Sequence, residues 1–192
     1  NTNDAPEFDF TPPTSTDEDA AFEYQLTATD IDTDVAAETL TFEAVSKPEW
    51  MSVSASGMIT GTPSNSDVGE HTVTVQVRDS AGATDTKTFT LTVNNVNDAP
   101  EFTFTAPTST DEDAAFEYQL TASDIDMSVN VDETLTFEAV EKPDWMSVSA
   151  SGLITGMPDN EDVGEHTVTV KVTDNAGVYP YTETQLIELS IP

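Results

Sequence analysis

The sequence contains no cysteine, which removes disulfides, thiolate chemistry and thiolate metal sites together. Basic residues are almost as scarce, with 5 Lys and Arg set against 37 Asp and Glu, a formal charge of −32. Phosphate contacts need Lys and Arg, so nucleic acid and anionic membrane are excluded as partners. No apolar run approaches the roughly 18 residues of a membrane span, and the 192 residues contain no stretch that reads as a secretory leader, so membrane insertion is not expected. Helical periodicity is missing too. What remains is a chain that is 36% hydrophobic, enough to build a core.

The apolar residues that are there alternate. Phe22, Tyr24, Leu26 and Ala28 take every second position, as do Leu40, Phe42 and Ala44, then Val73, Val75 and Val77, then Phe89, Leu91 and Val93. A period of two marks strands with one buried face. With Glu7–Phe10, Met51–Val53 and Met58–Thr60 added, the pattern predicts seven short strands. Turn signals such as "SASG" and "DSAG" separate them.

This pattern is written twice. A shift of 94 aligns Asp4–Asp32 with Asp98–Asp126 at 26 of 29 identical positions. A shift of 95 aligns Glu38–Gly82 with Glu133–Gly177 at 36 of 45. The phrase "NDAPEF" opens both copies, and its polar residues and proline suit a joint better than a strand centre. The expected fold is all-β: two tandem seven-stranded antiparallel Greek-key sandwiches in an elongated arrangement, residues 1–97 and 98–192. The copies differ most at the last hairpin, where the second carries a longer turn with "VYPY".

Seven strands run up and down, so alternate loops share a pole. The trailing pole of the first unit then receives Asp17, Glu18 and Asp19 ("DED") and Asp67. The joint supplies Asn95, Asn97 and Asp98, and the leading pole of the second unit faces it with Asp124, Asp126 and Asp174. A lone acidic loop is ordinarily just solvated. Three clusters converging on a polar linker instead suit a hard cation such as Ca²⁺, which takes six to eight oxygens from carboxylates and carbonyls. The same arrangement implies outer half-sites at Asp4, Asp30, Asp32 and Asp79 and at Asp111, Glu112, Asp113 and Asp162, expected to bind metal more weakly than the centre.

Together, "DED", "DID", the late aspartate and "NDAP" resemble the calcium motifs of cadherin repeats, above all the dystroglycan-type cadherin-like repeat of bacterial surface proteins. "KPEWMSVSASGMITGTPSNSDVGEHTVTVQVRDSAG" and its copy from Lys142 resemble the putative-Ig pattern associated with it. The resemblance implies an extracellular or cell-surface extender or adhesion module. It matches Glu18 to the family's glutamate between the first two strands, Asp124 and Asp126 to its Asp-x-Asp, Asp174 to its last-loop aspartate, and Asn97–Asp98 to its joint. The joint is shorter than in cell-adhesion cadherins and has Asn95 where an aspartate is usual. The loop "SNSD" lacks the family's Leu-Asp-Arg-Glu. One or two ions per joint are implied, rather than three.

Other residues give weaker signals. Trp50 and Trp145 follow "KP" at matching positions and could stack on sugars, although their duplication in strand-like registers favours packing. Tyr179 and Tyr181 occur only in the second unit and are the better candidates for sugar contact, which would make the chain a calcium-dependent carbohydrate-binding or self-associating module. His71 and His166 open equivalent strands and read as strand edge. Neither a nucleophile motif nor a phosphate-cradling loop is present. Near-identical repeats offer the same surface twice, not a cleft with unequal carboxylates, so no enzymatic activity is expected. The partners implied are neighbouring repeats, with a polysaccharide or a second copy as alternatives.

Overall fold

A computed structural model describes residues 2–34, 39–175 and 181–192. The chain divides into two compact units, Asn1–Val96 and Asn97–Pro192. In the first unit the strands are β1 (Glu7–Phe8), β2 (Ser15–Asp17), β3 (Phe22–Gln25), β4 (Ala28–Thr29), β5 (Thr41–Ser46), β6 (Met51–Val53), β7 (Met58–Gly61), β8 (Gly69–Arg78) and β9 (Thr84–Asn94). One sheet has the order β2-β9-β8-β5, a second has β3-β7-β6, and β1 pairs with β4 at the leading end. The long β8–β9 hairpin pairs over ten residues, from Gly69↔Val93 to Arg78↔Thr84.

The second unit repeats this plan with β10 (Glu101–Phe102), β11 (Phe116–Gln119), β12 (Ala122–Ser123), β13 (Thr136–Glu141), β14 (Met146–Val148), β15 (Leu153–Gly156), β16 (Gly164–Thr173) and β17 (Thr182–Ile191). Its sheets run β13-β16-β17 and β11-β15-β14, with β10 on β12. The final strand survives the longer turn and pairs with β16 from Gly164↔Ile191 to Thr173↔Thr182.

The first strand differs from the expectation. Glu7–Phe10 is not one strand, because pairing stops at Phe8 and resumes at Ser15–Asp17, now parallel to β9. Pro12 and Pro13 lie between the two pieces. Neither can donate to a ladder, so the chain leaves one sheet there and joins the other. In the second unit the corresponding segment keeps a single bridge, Ser109↔Ser190.

The core lies between the two main sheets. Val73, Val75 and Val77 from β8 and Leu91 from β9 are fully buried, as are Met51 and Ile59 from the facing sheet. Each is an alternate residue of its strand, as the period of two requires. Phe8, Phe10 and Phe42 close one end, the first two edge to face with centroids 5.3 Å apart. A bulge between Ala44 and Ser46 in edge strand β5, matched between Ala139 and Glu141 in β13, irregularises the exposed edge and discourages pairing with other chains.

The tryptophans pack into this frame. Trp50 is partly buried against the core, edge to face with Phe22 at 6.1 Å and with His71 at 6.3 Å. A Cβ on Gly61 would lie 2.7 Å from the indole ring, so only glycine lets the strand pass beneath it. Trp145 repeats the arrangement with Phe116, His166 and Gly156. His71 Nε2 lies 2.5 Å from the Asp67 carbonyl and His166 Nε2 lies 2.6 Å from that of Asp162, so each ring ties a strand start to the preceding turn.

Replacing Leu91 by alanine should empty a closed site and cost about 2–5 kcal/mol. Urea unfolding followed through Trp50 fluorescence in a Trp145→Phe background measures that loss. Gly61→Ala should shift the same transition in the same direction.

Candidate metal centre

Each leading pole is closed by the phrase that opens its repeat. In the second unit the Asp98 backbone N–H donates to Asp126 Oδ2 at 2.6 Å, and the Asn97 side-chain amide donates to Asp174 Oδ2 at 3.1 Å. Asp126 N–H in turn donates to Asp124 Oδ1 at 3.0 Å, the Asx-type bond of a tight turn. Tyr181 N–H reaches both oxygens of Asp174, at 3.2 and 3.0 Å. The first unit repeats the pattern. Asp4 N–H donates to Asp32 Oδ2 at 2.6 Å, Asn3 amide to Asp79 Oδ2 at 2.9 Å, and Asp32 N–H to Asp30 Oδ1 at 2.8 Å. Asp79 Oδ1 also accepts from Gly82 and Ala83 N–H, at 2.6 and 2.8 Å.

Among the described residues, one group of acids is close enough to share an ion. Asp124, Glu133 and Asp174 each bring a carboxylate oxygen within 4.8 Å of the others. Asp174 and Glu133 are buried and Asp124 is half-buried, with fully buried Asp126 alongside. Glu133, ahead of β13, is the member that the sequence reasoning passed over. Its signal was present: Glu38 and Glu133 are aligned acids on the edge of an alternating apolar strand, next to a segment where the copies otherwise diverge.

The electrostatics of the group are those of anions without a counter-charge. Burial, then the negative charges of Asp124, Asp126 and Asp174, push the Glu133 carboxyl up to about 7, opposed only by the Asn130 amide. Burial is also the main cause of the raised Asp124 carboxyl, with the charges of Asp126 and Asp174 adding to it and the Asp126 N–H and a hydrogen bond with the Glu133 carboxyl opposing. Asp79 moves the other way, because the Asn3 amide, helped by backbone N–H groups, holds its carboxyl below the usual range. At the leading pole of the second unit, Asp124 Oδ2, Glu133 Oε1 and Asn97 Oδ1 are buried with no hydrogen-bond donor. Buried acceptors left this way are rare and costly. Carboxylate and amide oxygens are the ligand types that a hard divalent cation takes.

Several trailing-pole candidates accept bonds from groups of their own unit. Glu18 is buried, and its Oε1 accepts from Val96 N–H at 2.8 Å. Asp19 follows in the left-handed region at φ 55, which aspartate tolerates, and its N–H donates to the Pro63 carbonyl at 2.8 Å. Asp113 does the same at φ 56. Asp67 Oδ2 is engaged at home, accepting from Ser64 N–H and Oγ at 2.9 and 2.7 Å, while Asp162 Oδ2 accepts from Asp159 N–H at 3.0 Å. Asn95, Asp19, Asp111 and Asp113 are exposed. Half-buried Glu112 keeps a buried Oε2 without a partner. Tyr181 is 49% exposed, and Tyr179 lies outside the described residues.

The family described as Putative Ig domain matches residues 6–94 and again 99–192. The chain belongs to that family, in two tandem copies. No curated protein matches. Among solved structures, the first two extracellular repeats of human protocadherin-24 align over 99% of this chain and 100% of that one, at 18% identity and a TM-score of 0.67. Human CDH23 EC21-23 aligns over 98% of this chain and 70% of that one, at 21% identity and a TM-score of 0.63. These likenesses establish a cadherin-like fold for the tandem Ig-type repeats. An endo-fucoidan hydrolase of glycoside hydrolase family 107 also aligns, at 21% identity and a TM-score of 0.42; the match spans 98% of this chain and only 29% of that enzyme.

The raised Glu133 carboxyl has a consequence for the metal-free protein. It binds its proton more tightly folded than unfolded, so its contribution to stability is complete below about 4.5 and is lost as pH rises through about 7. In chelator, calorimetry should show the second repeat losing stability across that window. Glu133→Gln should flatten the slope.

Proposed function

We propose that the chain is a calcium-stiffened extracellular repeat pair, serving as an extender or adhesion module of a bacterial surface protein and carrying out no catalysis. The observation that carries this reading is the group of Asp124, Glu133 and Asp174, whose close oxygens and unpartnered buried acceptors lie beside the residue that begins the second repeat. The residues fit a Ca²⁺ ion: Asp124, Glu133 and Asp174 offer carboxylates and Asn97 an amide oxygen. An ion bound there would supply positive charge to this group of anions. Duplication supports the extender role, since stacking copies adds length rather than new chemistry. A cadherin-like fold and the absence of cysteine are both compatible with that role.

A second reading, a carbohydrate-binding module, rests on Tyr181, an aromatic side chain half exposed beside Asp174. Tyrosine in such a setting stacks on sugar rings while its backbone stays fixed.

Calcium at about 100 times its Kd should add about 2.7 kcal/mol to the stability of the repeat that holds it. Far-UV circular dichroism should stay unchanged, because the strand cores do not depend on the ion. The spread of maximum dimension seen by small-angle scattering should narrow with Ca²⁺, and Asp124→Ala with Asp126→Ala should abolish that response. An unchanged response in this double variant would reduce the acids to a solvated surface. Sedimentation with a panel of insoluble polysaccharides, with and without Ca²⁺, tests the second reading; loss of binding in Tyr181→Ala would support it.

A further inference from the structure

A chain that extends between two attachments bears tension through its backbone. How each repeat yields then depends on the contact between its early and its last strand. In the first repeat β2 runs parallel to β9, with Ser15, Thr16 and Asp17 facing Thr92, Val93 and Asn94 in three successive pairs. Backbone bonds bound this ladder on both sides. Thr92 N–H donates to the Thr14 carbonyl at 3.0 Å, and Glu18 N–H to that of Asn94 at 3.1 Å. The second repeat keeps one pair, Ser109 with Ser190. Its two bonds run from Ser190 N–H to the Thr108 carbonyl at 3.0 Å and from Thr110 N–H to that of Ser190 at 3.1 Å. We infer that the repeats are mechanically unequal: the β2–β9 ladder clamps the first repeat against tension, and the second, held there by a single bridge, yields first. This deepens the extender reading above, since a chain under tension is what would use such an order.

The first argument is direction. Tension draws the start of a repeat one way and its end the other. The outermost strands, β1 and β10, are each paired over two residues in an antiparallel ladder, the same in both copies. Once they peel away, tension reaches the contact with the last strand. There the strands are parallel, so pulling slides one along the other and strains the bonds between them together. Resistance to sliding therefore grows with the number of bonds in the contact.

The second argument is the sequence cause of the difference. Pro192 stands where the first repeat has Asn94. Proline has no N–H, so the second ladder cannot continue to that position. Asn94 also adds a side-chain tie, its amide donating to Asp17 Oδ1 at 2.9 Å. Farther along β9, the Lys87 ammonium donates to the Phe10 carbonyl at 2.7 Å and lies 4.4 Å from the centre of the Phe10 ring. Its counterpart in the second repeat is the neutral Gln185.

The third argument is that other contacts along the same path are matched. The β8–β9 and β16–β17 hairpins each pair over ten residues. Asp85 Oδ2 accepts from Phe8 N–H at 3.0 Å, and Glu183 Oε2 from Phe102 N–H at 2.5 Å. The imbalance falls on the parallel contact and on Lys87.

The test is to pull the full 192-residue chain by its two ends in optical tweezers, with chelator present so that no ion contributes. Two unfolding events should appear at different forces. Forced unfolding reports the unfolding rate, and at equal force the weaker repeat should open at least about tenfold faster, a barrier difference of about 1.4 kcal/mol. Two variants assign the events. Pro192→Asn gives the second repeat back its N–H and should raise the lower-force event alone. Thr16→Pro removes an N–H from the middle of β2 and should lower the higher-force event alone. Equal forces in the parent would overturn the inference, as would Pro192→Asn acting on the higher-force event or on neither. Should Thr16→Pro fail to fold, Lys87→Gln is read by the same lowering of the higher-force event. The extender reading stands or falls separately, on the scattering response to Ca²⁺.

Discussion

The side-chain amide of Asn97 and the backbone N–H of Asp98 reach two aspartates far along the chain, 77 and 28 residues on. Asn3 and Asp4 make the equivalent bonds to Asp79 and Asp32. This clasp fixes the leading pole of each repeat, because it ties the incoming chain to the turn after β4 or β12 and to the end of β8 or β16. The Asn amide donates through its nitrogen to one aspartate and keeps its oxygen as an acceptor. The short polar phrase is therefore a structural element of each repeat, and the acids that it gathers are brought together by two bonds rather than by the sheets alone.

That gathering has an electrostatic cost, offset in part by hydrogen bonds from amides and backbone N–H groups. Lys171–Glu138 is the one salt bridge among the described residues, and it lies on exposed strand surface, where such pairs contribute little. Lys87 is spent on the Phe10 carbonyl and ring. The acids on the strand faces point into water and repel only weakly. Those at the leading pole are buried, where the same repulsion is larger. The two copies also settle differently. Asp79 is held ionised by the Asn3 amide and backbone N–H groups, whereas in the second copy the strain collects on Glu133 and Asp124.

Much of the fold was legible because a half-buried strand writes its register in every second residue. Val73, Val75 and Val77 could be assigned inward from sequence, and they are buried. The split of the first strand was less legible. Its prolines signalled a break, but a break does not say that the chain will re-pair in parallel with the last strand. At the site, Asp124, Asp126, Asp174 and Asn97 could be placed by loop topology alone. Glu133 was passed over, because it lies in the segment leading into β13, outside the acidic motifs that the loops carry. Asp67 shows the opposite difficulty: it lies in a polar loop, yet its carboxylate caps its own turn at Ser64. Loop position reports which residues are near a pole, whereas hydrogen bonding decides which of their oxygens remain available.

The two copies provide an internal comparison that bears on what the pole acids are for. Across the aligned segments they differ at three positions in the first stretch and nine in the second. None of these substitutions falls on a buried residue in either copy; Ser64 and Asp159, Ser66 and Glu161, and Thr62 and Met157 are all exposed. Glu18, Asp30, Asp32 and Asp79 are buried and unchanged, as are the valines of β8. For a valine the reason is packing, since any change of volume in a dense core is felt. Packing gives no such reason for a buried acid, which a neutral isostere would replace at lower desolvation cost. Hydrogen bonding does give a reason: Asp79, Asp32, Asp30 and Glu18 accept the amide and backbone N–H bonds that hold the incoming chain and the turns at each pole.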